Sequence, residues 1–188
     1  DELVAEFELS RVSDSPSIFD EDKLNWVSAN HIRRGGSMRY LEQAMPFFPE
    51  EITGRYSGEE LSKIFDMAAE NLPCFERLPA ETASFMPGPP RYDEEALGTL
   101  AGSETVLAAL KEKFISLPDW SYDPVKAAIK ETGKETGVKG KGLFMPLRVA
   151  VTGLTHGPDL TAILVLRGRD DAAASIDAAI ENISRQGG

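Results

Sequence analysis

Residues 141–160, KGLFMPLRVAVTGLTHGPDL, gather Lys141, Arg148, Thr152, His156 and a Gly157-Pro158 turn, with Asp159 as the only acid. A planar guanidinium can donate two parallel hydrogen bonds to a base edge or a phosphate, and it can stack on an exposed base. Arg148 is the candidate for that role. Gly157 adds no side chain and so lets backbone groups approach a splayed base, while Pro158 and Leu160 are expected to offer apolar surface for stacking. Lys139 and Lys141 are candidates for phosphate contacts. This inventory suits holding a nucleotide more than breaking a bond, although these residues by themselves equally describe a surface Arg followed by an ordinary inter-helix turn.

Catalytic residue types are scarce. His31 and His156 are the only histidines and Cys74 the only cysteine, which excludes an internal disulfide and leaves no cluster with metal-ligand spacing. No Walker-type glycine-rich loop, G-x-S-x-G elbow or H-E-x-x-H sequence occurs. The adjacent carboxylates Glu59-Glu60, Glu94-Glu95 and Asp170-Asp171 fall at helix starts, where the helix dipole favours negative charge, and His31 reads as a packing or helix C-terminal residue.

The elements that must carry these residues are helices. Apolar residues recur at helical spacing over residues 20–32 (Leu24, Trp26, Val27, Ile32), 37–45 (Met38, Leu41, Met45) and 57–71, with breaks expected at Gly35-Gly36 and Pro46. Ser57 and Glu60 have the spacing of a capping box. Prolines crowd residues 73–92, PCFERLPAETASFMPGPPRY, which reads as a linker or a structured loop. Helical patterning resumes over residues 93–100, 103–117, from an Asp123-Pro124 start, then 143–151, 158–166 and 170–184; only residues 163–166 are apolar enough to be ambiguous with a strand. The expectation is an all-α protein of two consecutive helical bundle subdomains, residues 1–92 and 93–188.

Charge limits the partners. The 188 residues hold 20 Lys and Arg against 31 Asp and Glu, a net charge of −11, with 41% hydrophobic and 27% charged residues, as in soluble globular proteins. No apolar run approaches the roughly 18 residues of a membrane span, and the start DELVAEFELS lacks the basic and apolar regions of a signal peptide. A cytoplasmic monomer without a membrane partner is expected. An acidic average argues against a polyanion, yet residues 134–169 carry Lys134, Lys139, Lys141, Arg148, Arg167 and Arg169 against Glu135 and Asp159, a local balance of +4.

Two stretches carry a resemblance. RVSDSPSIFDEDKLNW, residues 11–26, closely resembles the sequence that glutamyl-tRNA synthetases carry just after their catalytic half, through Arg11, Ser13, Ser15, Pro16, Phe19, Asp20, Lys23, Leu24 and Trp26. Asp14 departs from it, standing where the family commonly has Lys. GLFMPLRVAVTGLTHGPDL resembles the same family's C-terminal signature through Phe144, Pro146, Leu147, Arg148, Ala150, Thr152, Gly153 and Pro158. The two lie in the family's order, and the resemblance covers essentially the whole chain.

The resemblance implies the anticodon-binding portion of the enzyme, two all-helical subdomains that grip glutamate tRNA far from the active site. The catalytic half, with ATP and Mg²⁺, is expected upstream, since neither His-x-Gly-His nor Lys-x-Ser-Lys occurs here; no cofactor is expected in this portion, which should not activate glutamate alone. A further tRNA contact is implied in ENLPCFERLP, where Asn71 falls at a position that holds Arg in some members and Gln in others. A neutral amide leans toward the less discriminating type and leaves glutamine tRNA open as a second partner. From the residues alone, a helical protein-interaction module with acidic faces is the alternative, and a small helical enzyme a weaker third.

Overall fold

A computed structural model of the chain describes residues 2–11 and 18–186. Ser13, Asp14, Ser15 and Pro16 of the first motif lie outside the described residues. Among the described residues there are eleven α-helices, four short 3-10 turns and no strand. The helices are α1 (Glu2–Glu6), α2 (Glu21–Ala44), α3 (Glu50–Thr53), α4 (Gly58–Ala69), α5 (Leu78–Glu81), α6 (Glu94–Leu100), α7 (Glu104–Ser116), α8 (Tyr122–Glu135), α9 (Lys141–Thr152), α10 (Leu160–Arg167) and α11 (Arg169–Gln186). In the first half α2 packs on α4; in the second, α7 lies between α8 and α11, and α9 lies against α6 and α11.

Local sequence chemistry sets these boundaries. At the start of α4, Ser57 accepts from the Glu60 amide (3.3 Å) while Glu60 accepts from the Ser57 amide (2.8 Å), closing the expected capping box; Leu61, Ile64 and Phe65 are then buried. Asp93 caps α6 by accepting from Ala96 (2.8 Å). The glycine break in α2 is a kink at Gly36, φ +55°. The amide beyond it is satisfied from another helix, because Asp66 of α4 accepts both the Ser37 N–H (2.6 Å) and the Ser37 hydroxyl (2.9 Å). Helix α8 begins two residues before the expected Asp123-Pro124 start; Pro124 is still in the first turn, where a missing N–H leaves no carbonyl unpaired.

One reading of the apolar pattern needs correction. Of the residues assigned to the α2 face only Ile32 is buried; Trp26 is 68% exposed, with Leu24 and Val27 also accessible, and Met38 points into solvent. Periodicity identified the helix but not whether anything covers its face. Of the two forms expected for the proline-rich segment, linker or structured loop, it takes the structured one. It holds α5 and the 3-10 turns Phe75–Arg77 and Ala83–Phe85, and it buries Leu78, Thr82, Ser84 and Phe85.

Arg167 is the largest fully buried side chain, 1% exposed, and so contributes nothing to the surface charge counted over residues 134–169. Its guanidinium donates through Nε to Asp171 (2.9 Å), through Nη2 to the Gly88 carbonyl (2.6 Å) and Ser175 Oγ (3.1 Å), and through Nη1 to the Val151 carbonyl. Asp171, read in the sequence as a helix-start acid favoured by the helix dipole, also accepts the Gly88 amide (2.8 Å). Arg55 donates to the Arg167 carbonyl, and the Tyr92 hydroxyl donates to the carbonyls of Ala150 (2.8 Å) and Ser175 (3.2 Å). Burial pushes the Tyr92 phenol up to about 12, against the pull of the Arg167 charge, so it remains a donor throughout the neutral range.

Removing Arg167 would leave the buried Asp171 with only the longer 3.7 Å pairing to Arg55 and would strip the Gly88 and Val151 carbonyls of their donor. Arg167→Ala should lower the unfolding free energy by about 3–5 kcal/mol, seen as a drop in the urea midpoint at unchanged slope. A loss below about 1 kcal/mol, the range of exposed pairs, would show that the network does not hold the two halves together.

Candidate nucleic-acid interface

The end of α9 explains its Thr-Gly and Gly-Pro pairs. The Thr152 hydroxyl donates to the Arg148 carbonyl (2.8 Å) and accepts from the Leu154 amide (3.1 Å), turning the chain out of the helix. Gly153 takes the left-handed conformation, φ +72°, and a Cβ there would lie 2.7 Å from the Arg91 carbonyl oxygen. Only glycine fits between these two constraints. Gly157 has φ +142°, and a Cβ there would stand 3.0 Å from Ser84 Oγ and 3.3 Å from Arg148 Nη1. The turn therefore lies directly on the 3-10 turn of the proline-rich segment.

Arg148 Nη2 donates to the Pro158 carbonyl (2.8 Å), while Nη1 is buried with no protein partner. Burial lowers the guanidinium's pKa from its ordinary value, and the nearby Asp159 charge opposes that shift. The fork expected for bidentate contact with a base is thus divided. One amino group shapes the turn, and the other is enclosed beside Gly157 without a protein partner.

A cavity of about 530 Å³ opens on this turn. Its walls come from the end of α4 (Met67, Glu70, Asn71), from α5 and its following turn (Ala80, Glu81, Ser84), and from Leu154, His156, Gly157, Pro158 and Asp159. The fold thus brings Asn71 together with Gly157 and Pro158, two regions singled out separately in the sequence. Glu70, Glu81 and Asp159 make the walls acidic. Asp159 is partly committed, since it accepts from Ala162 (2.8 Å) and caps α10.

Other site residues fall elsewhere. Leu160, expected to stack on a base, is only 6% exposed; as the first residue of α10 it faces the core and offers no platform. Lys139 and Lys141 are exposed at the opposite end of α9, with Lys141 about 10 Å along the helix from Arg148. Glu81 and Ser84 were missed in the sequence because nothing local marks them; only the packing of the proline-rich segment brings them to the cavity.

Gly157→Ala should cost about 1–3 kcal/mol in urea unfolding. The loss should exceed that of Gly102→Ala, where φ is also positive but the new methyl group enters open space. Equal losses would show that contact with Ser84 and Arg148 does not constrain the turn.

Known proteins share the sequence family and the fold of this chain. The chain is similar to the glutamate–tRNA ligase of Exiguobacterium sibiricum, 36% identical over 188 residues, covering 95% of this chain and 38% of that protein. It is 34% identical over 183 residues to the glutamate–tRNA ligase of Carboxydothermus hydrogenoformans, covering 94% of this chain and again 38% of that protein. The chain thus spans under two-fifths of the length of these relatives. In fold it is similar to the crystal structure of a glutamate tRNA ligase from Elizabethkingia meningosepticum, with a TM-score of 0.85 and 22% identity, covering 97% of this chain and 36% of that one. The family model described as an anticodon binding domain matches residues 39–180, both walls of the cavity included, and the chain belongs to that anticodon-binding family.

Proposed function

We propose that this chain is the anticodon-reading portion of a glutamate–tRNA ligase, with glutamate tRNA as its ligand. The observation that carries the reading is the cavity between Asn71 and the Gly157-Pro158 turn, within the region that matches the anticodon-binding family. Its chemistry suits bases rather than phosphates. Carboxylates repel a phosphate but accept hydrogen bonds from the amino and imino groups on base edges. Arg148 acts here by fixing the turn through the Pro158 carbonyl. Asn71 supplies a neutral amide at the opposite wall, which favours a reader tolerant of glutamine tRNA.

Activation of glutamate with ATP and Mg²⁺ belongs in this reading to a separate catalytic half, which would form one cytoplasmic monomer with this portion. Residues 1–92 and 93–188 are then its two consecutive helical units. Phe7, Ile18, Phe19, Leu24 and Trp26, all exposed, are the surface we assign to contact with the catalytic half.

Titration of the protein with glutamate tRNA and with an anticodon-swapped tRNA tests the reading. Arg148→Lys keeps the charge but loses the planar group packed under Gly157 and holding the Pro158 carbonyl, so by loosening the base-facing turn it should weaken the cognate complex by about 1–3 kcal/mol and the swapped one far less. Equal binding of both tRNAs by the unaltered protein would contradict anticodon reading. Binding of a basic protein in preference to RNA would favour an acidic interaction module instead.

A further inference from the structure

Helix α8 carries Lys126, Lys130 and Lys134 four residues apart, so their side chains rise every 6 Å or so along one face. Lys139 and Lys141 continue the row past the end of α8 to the start of α9. All five are exposed, and none enters an ion pair among the described residues. Elsewhere Lys63, Lys111 and Lys113 are neutralised by acids 2.6–3.3 Å away. The two acids of α8 nearest the row, Glu131 and Glu135, are both engaged by Lys113 of α7, at 3.3 and 2.7 Å. In a chain of net charge −11, these five lysines form a contiguous basic row without an acidic partner, Lys126 resting over the Tyr122 ring at 5.1 Å.

Lys130, Lys134 and Lys139 also border a cleft of about 310 Å³ whose wall includes Phe144, 40% exposed. Lysines beside an accessible aromatic ring are the pairing by which proteins follow a nucleic-acid strand, cations to phosphates and ring to an unpaired base. This surface and the acid-walled cavity lie toward opposite ends of α9, so one can hold a backbone while the other reads bases.

We infer that Lys126, Lys130 and Lys134, extended by Lys139 and Lys141, form a track for the phosphate backbone of the bound tRNA, separate from the base-reading cavity. The inference rests on the reading of this chain as a tRNA binder. It adds a second surface whose contribution differs in kind from that of the cavity. The track supplies affinity that is indifferent to anticodon sequence and sensitive to salt, and counterions released from the neutralised phosphates provide that affinity.

The test is the combined Lys126→Gln, Lys130→Gln, Lys134→Gln variant, titrated with glutamate tRNA and with the anticodon-swapped tRNA over a range of salt concentrations. A second variant, Lys63→Gln, Lys111→Gln, Lys113→Gln, removes the same net charge from other faces. The track variant should bind both tRNAs about tenfold or more weakly at low salt, with a salt dependence shallower by about two units of slope, and should keep its preference between the two tRNAs. The control should lose far less. Equal losses in the two variants would show that net charge matters and the row does not. An unchanged slope in the track variant would also overturn the inference, even with anticodon preference intact. If the unaltered protein binds neither tRNA, the proposed function fails first, an outcome distinct from both of these.

Discussion

A guanidinium cut off from water must find its partners within the protein, and Arg167 finds them in three places at once. Gly88 belongs to the proline-rich segment, Val151 to the last turn of α9, and Asp171 and Ser175 to α11. Breaking one of the bonds to a carbonyl or hydroxyl would leave a buried donor unsatisfied, at a cost of about 1–3 kcal/mol, and breaking the bond to Asp171 would cost more. The segment over residues 86–91 is thereby fixed against the end of α9. That placement puts the Arg91 carbonyl 2.7 Å from where a Cβ on residue 153 would lie, and Ser84 beneath Gly157. The cavity is a consequence of this arrangement, because its two walls belong to segments that Arg167 and its neighbours tie together.

Charge is sorted over the surface in a way that the net value conceals. Carboxylates line the cavity, and unpaired lysines lie along α8 and the start of α9. An anionic wall around a base discourages phosphates from occupying the same space, while a basic row away from it can attract the backbone without competing for the bases. The protein can therefore be acidic overall and still present a surface suited to RNA. A count over residues 134–169 captured this only partly: it included Arg167, which is buried, and it omitted Lys126 and Lys130 because they precede the segment.

Features fixed by a few neighbouring residues were legible in the sequence. The capping box at Ser57, the interruption at Gly36 and the exit from α9 at Thr152-Gly153 each depend on local hydrogen bonding or on a backbone angle that glycine tolerates. The helical class followed from apolar spacing. What could not be read was which faces meet. Leu160 lies beside a candidate turn in sequence yet faces the core, Trp26 follows a helical pattern yet is exposed, and Glu81 joins the cavity only because the proline-rich segment packs as a unit. The Arg167–Asp171 pair has the four-residue spacing of an ordinary surface ion pair, and nothing local distinguishes it from the exposed Glu59–Lys63 pair.

The central claim is that bases of the anticodon enter the cavity between the end of α4 and the turn after α9. Amide hydrogen exchange measured on the protein with and without glutamate tRNA tests it most directly. Slowed exchange is predicted at residues 70–72 and 154–157 when tRNA is bound, with a weaker effect at those amides for an anticodon-swapped tRNA. Protection confined to other surfaces, with these two walls unchanged, would contradict it.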